Sequence, residues 1–207
     1  PIDITPLIEG LGYTYSTTAQ QGTNVPDKQW IYGDASNFKT QYATAEVWNQ
    51  SPFEVYQTLS NRPAGTYTIK TKAYYRTAAN IANYDNYQAD QTPKAFVMGG
   101  FSKAPIVNVA ELASETQNTG WAAVAGDALF VPNSQQNAEE VFNNDDLAEK
   151  VQASVQTVLA AEGDLKIGVT ADQMDENSWV VWYGFEIEYD PNVDKDLLAE
   201  EIEAAKA

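Results

Sequence analysis

Eleven consecutive residues, Thr66 to Arg76, alternate without a fault. Tyr67, Ile69, Thr71, Ala73 and Tyr75 fall on one side, and Thr66, Thr68, Lys70, Lys72, Tyr74 and Arg76 on the other. Successive side chains of a strand point to opposite faces, so a period of two this long predicts a half-buried β-strand. Upstream, Val55, Gln57 and Leu59 share one side of a second alternating run. Between the two lies Asn61-Arg62-Pro63-Ala64-Gly65, where Pro fixes φ and Gly admits positive φ. The pattern predicts a long hairpin with one core face and one wet face.

Further strands follow from the same reasoning. "TAEVWNQ" (44–50), "AFVMGGF" and "APIVNVA" around a Gly-Gly bend, and "ALFVP" (128–132) are short strand candidates. Residues 147–160 fit a helix through Leu147, Val151, Val155 and Val158, and a strand through Val151, Ala153, Val155, Thr157 and Leu159. The Val and Thr content, and the turn Ala161-Glu162-Gly163 leading into "DLKIGVT", favour the strand. In "SWVVWYGFEIEY", Trp179, Val181, Tyr183, Phe185, Ile187 and Tyr189 share a face that is predicted to be core, with Glu186 and Glu188 outward. Ser134 to Asn144 predicts a short helix with Ser134 as N-cap. Residues 1–20 suggest an arm and a weak edge strand, and residues 21–40, 77–94 and 111–127 have no period and predict loops.

Past Pro191 the register changes to that of a helix capped by Asp194 or Asp196, with a narrow stripe of Leu198, Ile202 and Ala205. Such a helix is expected to project away from the preceding domain. The expected organisation is all-β: an antiparallel β-sandwich or jelly roll over residues 1–190. Residues 191–207 would be a short C-terminal helical extension, the start of a helix or linker to a further domain.

Charge and residue usage exclude several functions. Among the 207 residues, 29 acidic against 12 basic side chains give −17, a field that repels phosphate backbones and anionic membranes. No nucleic-acid partner is expected. The absence of Cys and His excludes disulfides, thiolate zinc sites and His-based triads. Catalysis would be left to carboxylates, Tyr, Lys or Ser-Lys pairs. No apolar run is long enough to predict a membrane span. Twelve Tyr and five Trp in a chain of mean hydropathy −0.41 make amphipathic aromatics its most distinctive resource.

One segment is familiar. Trp48-Asn49, a strand ending in Gln57-Thr58-Leu59, then Pro63-Ala64-Gly65, Tyr67 and a strand ending in Tyr75-Arg76 resemble a segment common in Bacteroidetes cell-surface proteins. "DLKIGV", the terminal "WVVWYGFEIEY" and Asp3 to Thr5 are similar to other parts of the same group. The resemblance implies the galactose-binding-domain-like jelly roll, the fold of many carbohydrate-binding modules. It also implies an exported chain at the cell surface or outside the cell, tethered or joined to other domains, as in surface lipoproteins. Many relatives carry Asp-Asn before the last Phe where this chain has Tyr183-Gly184, so any role of that pair does not transfer.

Sugars are held by stacking their apolar ring face on an aromatic side chain while planar polar groups take the hydroxyls. Three stretches offer such sets: Trp30 and Tyr32 beside Asp34; Tyr84 and Tyr87 with Asp85; and Trp121 beside Asn118. Arg76 ends its strand just before the Tyr84 segment. Each ring also has a plainer reading, as a loop residue tucked onto the core rim, and Arg76 as the structural partner of a loop carboxylate. Asp172 and Asp175 in "DQMDEN" are candidates for a structural Ca²⁺; no other cofactor is expected. The function that follows is non-catalytic glycan binding. The alternative is a structural or protein-interaction spacer without a glycan ligand.

Overall fold

The structure, a computed structural model, describes residues 1–3, 30–31, 38–41 and 44–206. It is an antiparallel β-sandwich. One sheet carries, in spatial order, β12 (Gln152–Leu159), β6 (Gly65–Arg76), β14 (Trp179–Asp190), β4 (Thr44–Trp48) and β3 (Phe38–Gln41). Beside it, β1 (Ile2–Asp3) pairs with β14, and β9 (Val107–Asn108) pairs in parallel with β6. The other sheet runs β2 (Trp30–Ile31), β5 (Phe53–Arg62), β13 (Gly163–Ala171), β7 (Ala95–Gly99) and β8 (Ser102–Pro105). A ribbon of β10 (Ala122–Val124) and β11 (Leu129–Val131) and four helices complete the described residues: α1 (Asn80–Ala89), α2 (Gln135–Phe142), α3 (Asp145–Ala148) and α4 (Lys195–Ala204). None of these helices is long and apolar enough to cross a membrane.

The expected hairpin is a crossover. β5 pairs with β13, whereas β6 pairs with β12 and β14, so Pro63–Ala64 carry the chain from one sheet to the other. Alternation fixes which face of a strand is buried, not which strand lies beside it. Here the two buried faces look at each other across the core. Gly65 makes the crossing possible: its φ is 152°, and a Cβ there would lie 2.4 Å from the Asp190 carbonyl oxygen.

Between the sheets, Val55, Leu59, Leu165, Ile167 and Val169 meet Tyr67, Ile69, Val155, Trp182, Phe185 and Ile187. The outer face of the β6–β14–β4 sheet is not wet as expected. Tyr74, Trp179 and Val181 lie under α2, the β10–β11 ribbon and a 3-10 turn at Val109–Leu112, in a second cluster with Phe142, Val141 and Trp121.

β14 serves both clusters because its register against β6 shifts between Trp182 and Phe185. The extra residue at Tyr183-Gly184 is a β-bulge, and it reverses the parity of the strand. Trp179 and Val181 therefore face the outer cluster, while Phe185 and Ile187 join the sandwich core. The predicted unbroken face is split, although Glu186 does point outward and Glu188 pairs with Lys70 at 2.9 Å.

Two further expectations are corrected. Residues 80–89 form α1 rather than a loop. This helix has little apolar periodicity and is held instead by Asn83, which is buried and exchanges amide hydrogen bonds with Asn108 at 2.9 and 3.1 Å. The C-terminal helix begins at its expected cap, with the Asp194 carboxylate accepting from the Asp196 and Leu197 amides, but it does not project. Buried Glu201 accepts hydrogen bonds from the Phe101 amide (3.1 Å), the Ser102 hydroxyl (2.8 Å) and the Thr157 hydroxyl, clamping α4 to both sheets. Gly100, at φ 59°, fits beneath this clamp, since a Cβ there would lie 2.6 Å from Thr157 Oγ1. The strand chosen for 147–160 holds over 152–159, preceded by the short α3, and Ser134 caps α2 by accepting from the Asn137 amide at 3.1 Å.

Candidate functional site

The antiparallel registers place Trp179 opposite Trp48 on one side and opposite Arg76 on the other. Three side chains thus stand in a row across three adjacent strands, at the end of the sheet and on its outer face. The Arg76 guanidinium lies over the Trp179 ring, 5.3 Å from its centroid. The Trp179 indole N–H donates to Glu46 Oε2 at 2.6 Å.

Arg76 is itself fixed from three directions. Its Nη1 donates to Asn80 Oδ1 at 2.8 Å and to Asn133 Oδ1 at 2.5 Å, and its Nε donates to the Asn177 carbonyl at 3.1 Å. Burial pulls its pKa below the usual value, while Tyr74 and Glu46 nearby push the other way; the guanidinium stays charged. Among the described residues Arg76 makes no ion pair within 4.0 Å. Its charge is balanced across the site by Glu46.

Glu46, Trp48, Arg76, Asn133, Gln135 and Gln136 line a cleft of about 380 Å³. Trp48 is 39 % exposed, so part of its indole is open to a ligand. Among the described residues Glu46 is the single carboxylate in this lining.

Two more clefts open at the same end of the sandwich. One, of about 380 Å³, lies beside α1 and includes Tyr75, Thr77, Tyr87, Asp90, Lys94 and Gln173. The other, of about 480 Å³, includes Asn49, Gln50, Ser51, Gln173, Asp175 and Ser178. Their loops are tied together. Asn49 and Asn177 both adopt left-handed backbone, with φ of 53° and 63°. Asn49 Oδ1 accepts from the Asn177 amide at 2.5 Å, and the Asn49 amide donates to the Ser178 carbonyl at 2.7 Å. Ser51 Oγ accepts from the Met174 amide at 2.8 Å and donates to its carbonyl at 3.2 Å.

The sequence candidates separate in space. Arg76 lies in the first cleft and Tyr87 in the second. Tyr87 is half-buried and donates its hydroxyl to Glu111 at 2.8 Å; burial and that carboxylate push its pKa up to about 12. Asp85 is exposed on α1, while Tyr84 packs against the second cluster. Trp121 is 8 % exposed in that same cluster, and together with Asn118 it lines a smaller, separate cleft of about 290 Å³. Trp30 is in β2, where its backbone pairs with that of Gln57; Tyr32 lies outside the described residues. Asp172 and Asp175 are exposed, and no group of three or more His, Cys, Asp or Glu among the described residues is placed to hold a metal ion.

Trp48 and Glu46 are the residues that sequence reasoning missed. The available signal was their shared parity: in "TAEVW" they alternate with Ala45 and Val47, which are buried in the sandwich. A tryptophan on the polar side of a strand had no place in the core and pointed to a site.

These features define a β-sandwich with a strand-borne polar cleft at one end, walled by a partly open indole, a fixed guanidinium and side-chain amides. No known protein family matches the sequence, and no curated protein matches it. Among solved structures the chain is similar to TmCBM61 in complex with β-1,4-galactotriose, at a TM-score of 0.40 and 11 % identity over 89 % of this chain and 98 % of that chain. A likeness of that degree bears on neither the fold nor the ligand of this protein.

Proposed function

We propose that the protein is a non-catalytic carbohydrate-binding module that holds a neutral glycan in the Trp48–Arg76 cleft. The observation that carries this reading is the accessible Trp48 indole beside Arg76, Asn133 and Gln135, all at one end of a sheet. An indole face takes the apolar face of a sugar ring. Amides donate and accept, a guanidinium donates and a carboxylate accepts, which together meet the needs of neighbouring hydroxyls. Arg76 and Glu46 cancel within the cleft, and the chain's −17 charge disfavours polyanions. Among the described residues a single carboxylate lines the cleft, which supports binding over glycoside hydrolysis, a reaction that calls for a pair.

The resemblance of the 48–76 segment to cell-surface jelly rolls supports an exported, extracellular setting. The test is calorimetric titration of neutral plant and host polysaccharides. Trp48→Ala should weaken binding by roughly 0.5–1.5 kcal/mol with the fold unchanged by circular dichroism. Trp30→Ala, tested in parallel, reports whether the β2 edge also contributes. No binding of any neutral glycan by the unaltered protein would leave a structural or protein-interaction spacer.

A further inference from the structure

We infer that the glycan is bound along its chain, as an internal stretch of several sugar units, rather than by a terminal residue. This rests on the glycan-binding reading above and deepens it. The three clefts sit at one end of the sandwich, where β4 and β6 finish and β5, β7 and β14 begin. The second and third share one wall, Gln173, Met174 and Asp175. The third reaches Asn49, the residue after Trp48, and Ser178, the residue before Trp179. A path therefore runs from Tyr87 and Lys94, past Gln173, to the Trp48 ridge and the Arg76 cleft beyond it.

Each cleft, at about 380, 480 and 380 Å³, falls in the range of about 300–1,000 Å³ that suits one small ligand. All three are open rather than enclosed. A pocket for a chain end surrounds one sugar and stops, whereas among the described residues these clefts are part-open and two of them share a wall.

The chemistry is consistent along the path. Thr77, Asn86, Gln173, Asn49 and Ser51 contribute uncharged polar groups. In the third wall Ser178 is 1 % exposed and its hydroxyl has no hydrogen-bond partner among the described residues, a buried polar group for which an entering hydroxyl or its water would compensate. Asp90, Asp175 and Glu176 outnumber Lys94 along the second and third clefts, which disfavours an anionic chain. The Asn49–Asn177 and Ser51–Met174 ties hold the intervening loops, so the path is formed before a ligand arrives.

The test is isothermal titration of β-1,4-linked glucose, mannose and xylose oligomers, from monosaccharide to octasaccharide, against the whole chain. In the series that binds, affinity should rise about tenfold or more from disaccharide to hexasaccharide, equivalent to roughly 1.4 kcal/mol, and then level off. Gln173→Ala, on the wall shared by the second and third clefts, should weaken hexasaccharide binding severalfold more than disaccharide binding. Trp48→Ala should weaken both. Equal affinity for monosaccharide and hexasaccharide would overturn the inference while keeping the glycan-binding reading. Equal losses on short and long oligomers in Gln173→Ala would do the same. Binding of no oligomer at any length would overturn both.

Discussion

The two faces of the β6–β14–β4 sheet are covered in different ways. The inner face meets a second sheet, and the contact is continuous from Leu59 and Leu165 through Ile69, Trp182 and Phe185. The outer face is covered by short pieces: α2, the β10–β11 ribbon and the 3-10 turn. That cover includes Trp179 but leaves Trp48 partly open, and polar groups such as Arg76, Glu46 and Asn137 are enclosed at its margins. Where sheet lies on sheet, clefts open only at the end of the sandwich among the described residues, beside Tyr75 and Met174. The patchwork leaves the Trp48–Arg76 cleft where its pieces run out, floored by the sheet itself.

If the patchwork is a full part of the fold, deletions on either face should behave alike. Phe142→Ala, in the outer cluster, should cost about 3–5 kcal/mol, and Ile167→Ala, in the inner core, about 2–5 kcal/mol. Urea unfolding followed by both tryptophan fluorescence and far-UV circular dichroism should give one coincident transition for each. A separate early transition in Phe142→Ala would show that the outer cover is a detachable skin.

The clamp on α4 offers a second comparison. Glu201→Ala removes a charged acceptor shared by donors from both sheets and should cost about 1.5–3 kcal/mol. A change below the error of the unfolding measurement would restore the expectation of a projecting helix.

The smallest effects should have opposite signs. In the inner core the Tyr67 hydroxyl donates to the Pro63 carbonyl at 2.6 Å, whereas in the outer cluster the Tyr74 hydroxyl is buried without a partner among the described residues. Tyr67→Phe should lose about 1 kcal/mol, and Tyr74→Phe should be neutral or gain up to about 1 kcal/mol. Burial raises both pKa values, that of Tyr67 to about 12. Their phenols stay neutral in the fold after the unfolded chain has begun to ionise near pH 10. This contribution is therefore intact below that value and declines as the pH rises towards 12, a loss that alkaline unfolding midpoints should reproduce and that Tyr67→Phe should lessen.

Much of this architecture is legible in the alternation of residues 65–76, because burial on one face is a local property of a strand. Partner choice is not. The same pattern in Val55–Leu59 and Tyr67–Tyr75 describes a hairpin and a crossover equally well, and only the distant strands β13 and β14 decide between them. Gly184, inside an otherwise apolar strand, was the visible sign of the bulge that divides β14 between two clusters. α1 left little trace, since a helix held by Asn83 and Asn108 needs no apolar stripe. At the site, Arg76 was readable as the end of a strand. Trp48 was not legible as a site residue because a ring on a strand ordinarily serves the core, and only its parity with Glu46 sets it apart.

The crossover at Pro63–Ala64 also bears on how the chain reaches its fold. β6 finds its neighbours far downstream: Thr71 and the Gly184 carbonyl it bonds are 113 residues apart. Little of the central sheet can close while only its early strands exist, so loop-closure entropy must be met before the pairing that offsets it is gained. Refolding should therefore lie in the slow range for single domains, about milliseconds to seconds. Until β12 arrives a nascent β6 presents two unpaired edges, and until β14 arrives one, together with the apolar row Tyr67, Ile69 and Tyr75, to whatever binds it first.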